Sequence, residues 1–228
     1  MKDAEQLHGE HPLLGVPRRD AITVAVLAAL TAALYLMVAL GSLNDVVRSL
    51  DESFLATMVS MQSPILTAIA KFLDILGSVY VTLPVRIVLA VFLAIRRRWW
   101  HFVAFVAAIV VSEIPISFIK AAYDRPRPGG SLVATTGGSF PSGHAVAASV
   151  TAVALVIALF PEGPRRYWWG TMAAFFSLVM ALSRAYLAAH WLSDAVAGVM
   201  LGTVIALAVA LVVHHVQTAS PTRRPVRG

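Results

Sequence analysis

Residues 22–40 run for 19 positions without a charged side chain, and about 20 apolar helical residues are what it takes to cross a hydrocarbon core. Comparable runs follow at about 77–95, 102–119, 143–160, 168–187 and 192–213. In a chain of 228 residues with 58% hydrophobic side chains and only 13% charged, there is too little polar surface for a water-soluble globule. The expected fold is therefore all-α, a bundle of six transmembrane helices. The polar 20-residue leader before the first run favours an uncleaved anchor over a signal peptide.

Between the first two spans the pattern changes. Over residues 41–63, Asn44, Asp45, Arg48, Asp51 and Glu52 interleave with Val46, Val47, Leu50, Phe54 and Leu55 at helical spacing, which predicts an interfacial helical segment. Residues 64–76, with Lys71 and Asp74, lead into helix 2 as a partly immersed segment. The expected organisation is a cytoplasmic N-terminal segment over 1–20, a membrane domain over 21–215 and a disordered basic tail over 216–228.

The net charge of +6 does not indicate nucleic acid, because the cations fall in short clusters between apolar runs. If the six helices alternate, Lys2, Arg18, Arg19, Arg96, Arg97, Arg98, Arg165, Arg166, Arg223, Arg224 and Arg227 share one side; 11 of 18 basic residues there mark it as cytoplasmic. Trp99, Trp100, Trp168 and Trp169 flank two of these clusters as interfacial anchors would. Both termini are then inside, and residues 120–142 and 184–194 face outward. The absence of cysteine removes disulfides, thiolate nucleophiles and zinc-thiolate sites from consideration.

The remaining cations are Arg48, Lys71, Arg86, Lys120, Arg125, Arg127 and Arg184. Lys120 ends helix 3 and precedes Arg125-Pro126-Arg127-Pro128, whose prolines stiffen the loop. Snorkelling accounts for one lysine at a helix end, but not for three cations and two prolines together. Pro141-Ser142-Gly143-His144 opens helix 4, where backbone N–H groups and the helix dipole attract an anion. Ser142 at such a place is also a common N-cap. Gly143 lets a phosphate oxygen approach the backbone. In Ser183-Arg184-x5-His190-x3-Asp194, the i, i+4 spacing puts His190 and Asp194 on one face, so the carboxylate can accept one imidazole N–H. The same pair also occurs as a plain structural bond.

Taken together, Lys120-x6-Arg127-Pro128, Pro141-Ser142-Gly143-His144 and Ser183-Arg184-x5-His190-x3-Asp194 resemble the three signature motifs of the type 2 phosphatidic acid phosphatase (PAP2) family, in order and at every signature position. That family shares its site with vanadium haloperoxidases and glucose-6-phosphatase, and includes phosphatases of lysophospholipids, diacylglycerol pyrophosphate and isoprenyl diphosphates. The resemblance implies a lipid phosphatase with His190 as nucleophile, Asp194 fixing its tautomer, and His144 as general acid and then base. It implies that Lys120, Arg127, Ser142, Gly143 and Arg184 hold the phosphate oxygens, with no metal and no cofactor. Arg125 lies outside the pattern, where it either assists a second phosphate or has no role.

The implied substrate is a membrane lipid phosphate at the outer leaflet, in a bacterial plasma membrane, with isoprenyl (undecaprenyl) diphosphate slightly ahead of phosphatidic acid and phosphatidylglycerophosphate. A lipid phosphotransferase would use the same site. A transporter would need polar residues along a through path, whereas these cations gather near one surface. Arg86 and Glu113 sit at matching depths in helices 2 and 3. Glu113 is seven residues from Lys120, about 10 Å along one helical face, which predicts that Glu113 points inward and pairs with Arg86 beneath the phosphate site. Otherwise Arg86 snorkels or meets Asp74.

Overall fold

The computed structural model describes residues 12–15, 17–39 and 44–219. Most of the expected N-terminal segment and basic tail, including Lys2, Arg223, Arg224 and Arg227, lies outside these residues. Among the described residues every regular element is a helix: α1 (Pro17–Ala39), α2 (Asn44–Ser60), α3 (Pro64–Gly77), α4 (Val79–Ile95), α5 (Trp99–Ala122), α6 (Gly143–Leu159), α7 (Pro164–Tyr186) and α8 (Leu192–Ala219). Local chemistry sets several ends. Ser63 caps α3, its hydroxyl accepting the Leu66 N–H, and Pro64 takes the first turn, where a missing N–H costs nothing. Helix α8 continues to Ala219, so the boundary expected at residue 216 falls inside a helix.

Among the described residues, three helices are long and apolar enough to cross a membrane: the stretch Arg18–Val38 of α1, then α5 and α8. The pair α3 and α4, bent by 50° at Ser78, qualifies together as a fourth. Helix α6 is apolar but has only 17 residues, and α7, which carries Arg165, Arg166 and Arg184, is not in that set. Large apolar side chains cover the outer surface, among them Ile65, Tyr80, Val88, Ile95, Ile114, Phe118 and Val212. So broad an apolar exterior suits lipid rather than water.

Helix α8 is central, packing against α1, α5, α6 and α7. It lies closest to α6, and two glycines make this possible. A Cβ at Gly198 would stand 2.7 Å from the Ser142 carbonyl oxygen, and one at Gly202 would stand 2.1 Å from Ser149 Oγ. The spacing Gly198-x3-Gly202 thus clears one stripe of α8 for the backbone of α6. The N-termini of α6 and α8 come side by side, joined by the Ser142 N–H donating to the Asp194 carbonyl at 3.0 Å. Two positive helix ends therefore meet at one place. Below it a core of Leu93, Phe105, Ala108, Val150, Ala154 and Ile205 ties α4, α5, α6 and α8 together.

Candidate active site

Around the paired N-termini of α6 and α8 the three sequence motifs converge. Residues 123–142 form an irregular loop held by the motif cations. Arg127 donates from Nε to the Gly137 carbonyl at 3.0 Å, from Nη2 to the Thr136 carbonyl at 2.9 Å, and from Nη1 to the Ala189 carbonyl at 2.7 Å. Lys120 Nζ reaches the Gly138 carbonyl at 3.1 Å, which Arg127 also contacts at 3.2 Å. Burial pushes the Arg127 guanidinium below its ordinary range, and the like charge of Arg184 adds to this. In this structure Arg127 and Lys120 hold the loop in place as well as contributing positive charge.

His190 lies in the turn between α7 and α8, almost fully buried. Its Nε2 is 3.1 Å from Arg127 Nη1, and its Nδ1 is 2.7 Å from the Ser139 carbonyl oxygen. Guanidinium can only donate and a carbonyl can only accept. The neutral ring therefore carries its proton on Nδ1 and presents a lone pair at Nε2. Burial pushes this imidazole below the ordinary histidine range, with Arg127 and Arg184 contributing and Asp194 opposing.

The expected hydrogen bond from His190 to Asp194 is thereby corrected. Asp194 Oδ2 is 3.6 Å from Nδ1, and the Ser139 carbonyl takes the proton instead. The Asp194 carboxylate is occupied elsewhere: Oδ2 accepts the Trp191 N–H at 2.9 Å across the first turn of α8, and Oδ1 accepts from Arg125 Nη1. Asp194 acts on His190 through its charge and through the turn that carries the ring. Arg125 has a role that neither sequence alternative described. Besides Asp194 and Ser193 Oγ, it bonds the buried carboxylate of Asp51 at 2.7 Å, and Asp51 in turn accepts the Ser193 N–H at 2.8 Å. A side chain of α2 thus caps α8.

Ser142 stands at the N-cap position of α6, yet its hydroxyl makes no capping bond; Oγ is buried with no partner among the described residues. The buried Arg184 Nε also has none. Two orphaned donors on predicted phosphate ligands are what a site awaiting an anion would hold. Over Gly143 there is open space, since a Cβ there would meet nothing within 4 Å. The other end of Arg184 bonds the Asp74 carboxylate through Nη1, and His144 Nε2 lies 3.3 Å from the same oxygen and 3.2 Å from the Asp74 carbonyl.

Arg86 and Glu113 approach to 3.7 Å, but the Glu113 side chain is 60% exposed, which corrects the expectation that it points into the bundle. The closer partners of Arg86 are Thr151 Oγ1 at 2.9 Å and the Ala147 carbonyl at 3.3 Å, so it mainly ties α4 to α6. Asp74, the other partner weighed for Arg86, is engaged by Arg184.

Sequence reasoning gave no role at the site to Asp51, Asp74, Ser139 or Ser193. A single acid in the apolar helix α3 was a signal for Asp74. Gly198-x3-Gly202 was a signal for the close packing of α6 and α8. Nothing local marks Ser139, which acts through its main chain.

A cluster of cations and histidines set into a lipid-facing helix bundle defines an integral membrane protein equipped for phosphate chemistry. The chain belongs to the PAP2 superfamily, whose family model matches residues 99–217, just over half of it and all three motifs. An undecaprenyl-diphosphatase of Sulfolobus acidocaldarius is 31% identical over 149 residues, 60% of this chain and 66% of that protein. Phosphatidylglycerophosphatase B of Bacillus subtilis is 23% identical over 176 residues, 75% of this chain and 87% of that protein. Among solved structures, the PAP2-type phosphatidylglycerolphosphate phosphatase of Bacillus subtilis superposes with a TM-score of 0.71, covering 91% of this chain and 98% of that one at 21% identity. LpxE of Aquifex aeolicus gives 0.58 over 69% of this chain and 92% of that one, also at 21% identity. The chain is accordingly a PAP2 membrane phosphatase, a hydrolase.

Proposed function

We propose that the protein removes phosphate from a lipid phosphate or diphosphate at the extracytoplasmic face, without a metal, through a phosphohistidine on His190. The observation that carries the reading is the placement of His144 between two unlike surroundings. On one side lies the phosphate cluster with its orphaned Ser142 and Arg184 donors. On the other, a cavity of about 300 Å³ lined by apolar side chains such as Leu76, Val81, Leu155 and Met180 follows α6 away from the site through Ala147 and Thr151. A phosphate with an apolar tail matches both.

In this mechanism Lys120, Arg127, Arg184, the Ser142 hydroxyl and the Gly143 N–H bear the charge of the non-bridging oxygens. His190 Nε2 attacks phosphorus while Nδ1 stays bonded to the Ser139 carbonyl, and the positive charge it gains is balanced by Asp194. His144 protonates the departing oxygen and then takes a proton from the water that cleaves the phosphohistidine. The outward orientation follows if six spans alternate with both termini inside, an arrangement that gathers 11 of 18 basic residues on the cytoplasmic side. Cysteine at Gly130 should then react with an impermeant reagent from outside, and cysteine at Glu162 should not.

An isoprenyl diphosphate is the favoured substrate, in line with the name of the Sulfolobus relative, an undecaprenyl-diphosphatase. Phosphatidylglycerophosphate, as the Bacillus protein's name has it, is the second reading. Phosphate release should be measured from a panel of undecaprenyl diphosphate, phosphatidic acid and phosphatidylglycerophosphate in detergent with EDTA. Release that survives EDTA and is inhibited by vanadate is expected; strict dependence on added magnesium would overturn the metal-free mechanism.

A further inference from the structure

Helix α3 brings one acid to the site, and its placement is not explained by the motif residues. Asp74 is the single carboxylate in an otherwise largely apolar helix. A carboxylate there is costly unless partnered. Its partners are two residues assigned to the chemistry: Oδ1 bonds Arg184 Nη1, and both Oδ1 and the main-chain oxygen face His144 Nε2, at 3.3 and 3.2 Å. Both oxygens only accept, so Nε2 carries a proton, and Nδ1 is the nitrogen left for the substrate. The same end of α3 passes close beside the ring, where only glycine leaves room: a Cβ on Gly77 would stand 2.7 Å from His144 Cδ2. Tyr186 holds the helix in place, its hydroxyl lying 3.0 Å from the Ser63 nitrogen and 3.1 Å from Thr67 Oγ1.

We propose that Asp74 is a positioning residue for departure of the leaving group: it holds His144 through Nε2 with Nδ1–H toward the departing oxygen, and it occupies Arg184 until the substrate phosphate takes its place. The inference rests on His144 being the acid of the proposed reaction. As the His190 Nε2–P bond forms and the P–O bond breaks, the proton on Nδ1 moves to the departing oxygen. An alkoxide becomes an alcohol, or a lipid phosphate leaves protonated, and His144 is left neutral with its Nε2 proton still directed at Asp74. A carboxylate stabilises the charged ring before this transfer, as an Asp does for the imidazolium of a catalytic triad. The same carboxylate competes with phosphate for Arg184. One residue thus slows binding and speeds departure, and removing it should move the two in opposite directions.

The test uses the full-length protein in detergent, with Asp74→Asn compared against the parent on phosphatidic acid, whose leaving alkoxide needs a proton, and on p-nitrophenyl phosphate, whose leaving group does not. Turnover of phosphatidic acid should fall by about a hundredfold, and that of p-nitrophenyl phosphate by less than about threefold. Vanadate, followed by its effect on thermal unfolding, should bind about two- to fivefold more tightly to Asp74→Asn because Arg184 is released. Equal losses on both substrates, or weaker vanadate binding, would overturn the role of Asp74 while leaving the phosphatase reading intact. Absence of phosphate release by the parent from these esters and from undecaprenyl diphosphate alike would overturn both. If Asp74→Asn does not accumulate, Asp74→Glu makes the same comparison: its longer side chain keeps the charge but displaces Nε2, so the selective loss on phosphatidic acid should persist in reduced form.

Discussion

The two histidines proposed to carry the reaction are held by different parts of the molecule. His190 sits in a turn, buried, and is oriented by the main chain of a loop: its Nδ1 bonds the Ser139 carbonyl, and its Nε2 faces Arg127. His144 begins a helix, is only partly buried, and is held by Asp74 of α3, a residue outside the motifs that meets it with its carboxylate as well as its main-chain oxygen. The difference suits the tasks proposed for them. A nucleophile must keep one fixed tautomer, and a carbonyl that can only accept enforces it. An acid and base must cycle its charge, and a nearby carboxylate assists the charged half of the cycle.

The largest test of this contrast is deletion of each ring. His190→Ala should lower turnover by more than about a thousandfold on every substrate, since no covalent bond to phosphorus can form. His144→Ala should lower it by about 10²–10⁴-fold on lipid substrates and less where the leaving group departs unaided. Equal, substrate-independent losses would mean that the two histidines do not divide the work in this way.

Next come the groups behind His190. Asp194→Asn should cost about 10²–10⁴-fold in turnover by removing the balancing charge and disturbing the first turn of α8. Arg125→Leu should cost less than this in turnover but more in thermal stability, because it strands the buried carboxylates of Asp51 and Asp194. If Arg125→Leu lost turnover with no change in stability, Arg125 would be contacting substrate instead.

The pH dependence sharpens the same contrast. In the proposed reaction His190 attacks as the neutral ring, and burial holds its pKa below the ordinary 6.5. Neutral His190 therefore persists as pH falls through 6.5, and the acid limb attributable to it should lie below that value. For stability the sign is the same. The unfolded chain takes up the proton first, so the fold loses stability as pH drops below about 6.5. An acid limb above this pH would show that the buried ring is charged in the resting enzyme.

The smallest effect is expected at Arg86 and Glu113. Arg86→Leu should lower Tm more than Glu113→Leu, because it also loses the bonds to Thr151 and Ala147. The double variant should resemble Arg86→Leu alone; strictly additive losses would mean that the 3.7 Å approach carries no coupling.

The amino-acid sequence by itself determined the helical class, the placement of the helices along the chain to within a few residues, and the residues of the motifs. Hydropathy has the helical period and acts locally, and signature spacings such as His190-x3-Asp194 are local too. The tertiary structure alone decided which groups serve those residues. Ser139 is read through its main-chain oxygen, a group that every residue has, so no residue type could announce it. Asp51 and Asp74 reach partners that lie between 70 and 142 residues away along the chain, and these contacts were fixed only when α2 and α3 packed against α8 and α7. Sequence distance does not encode such contacts, because a carboxylate finds its cation through the packing of whole helices.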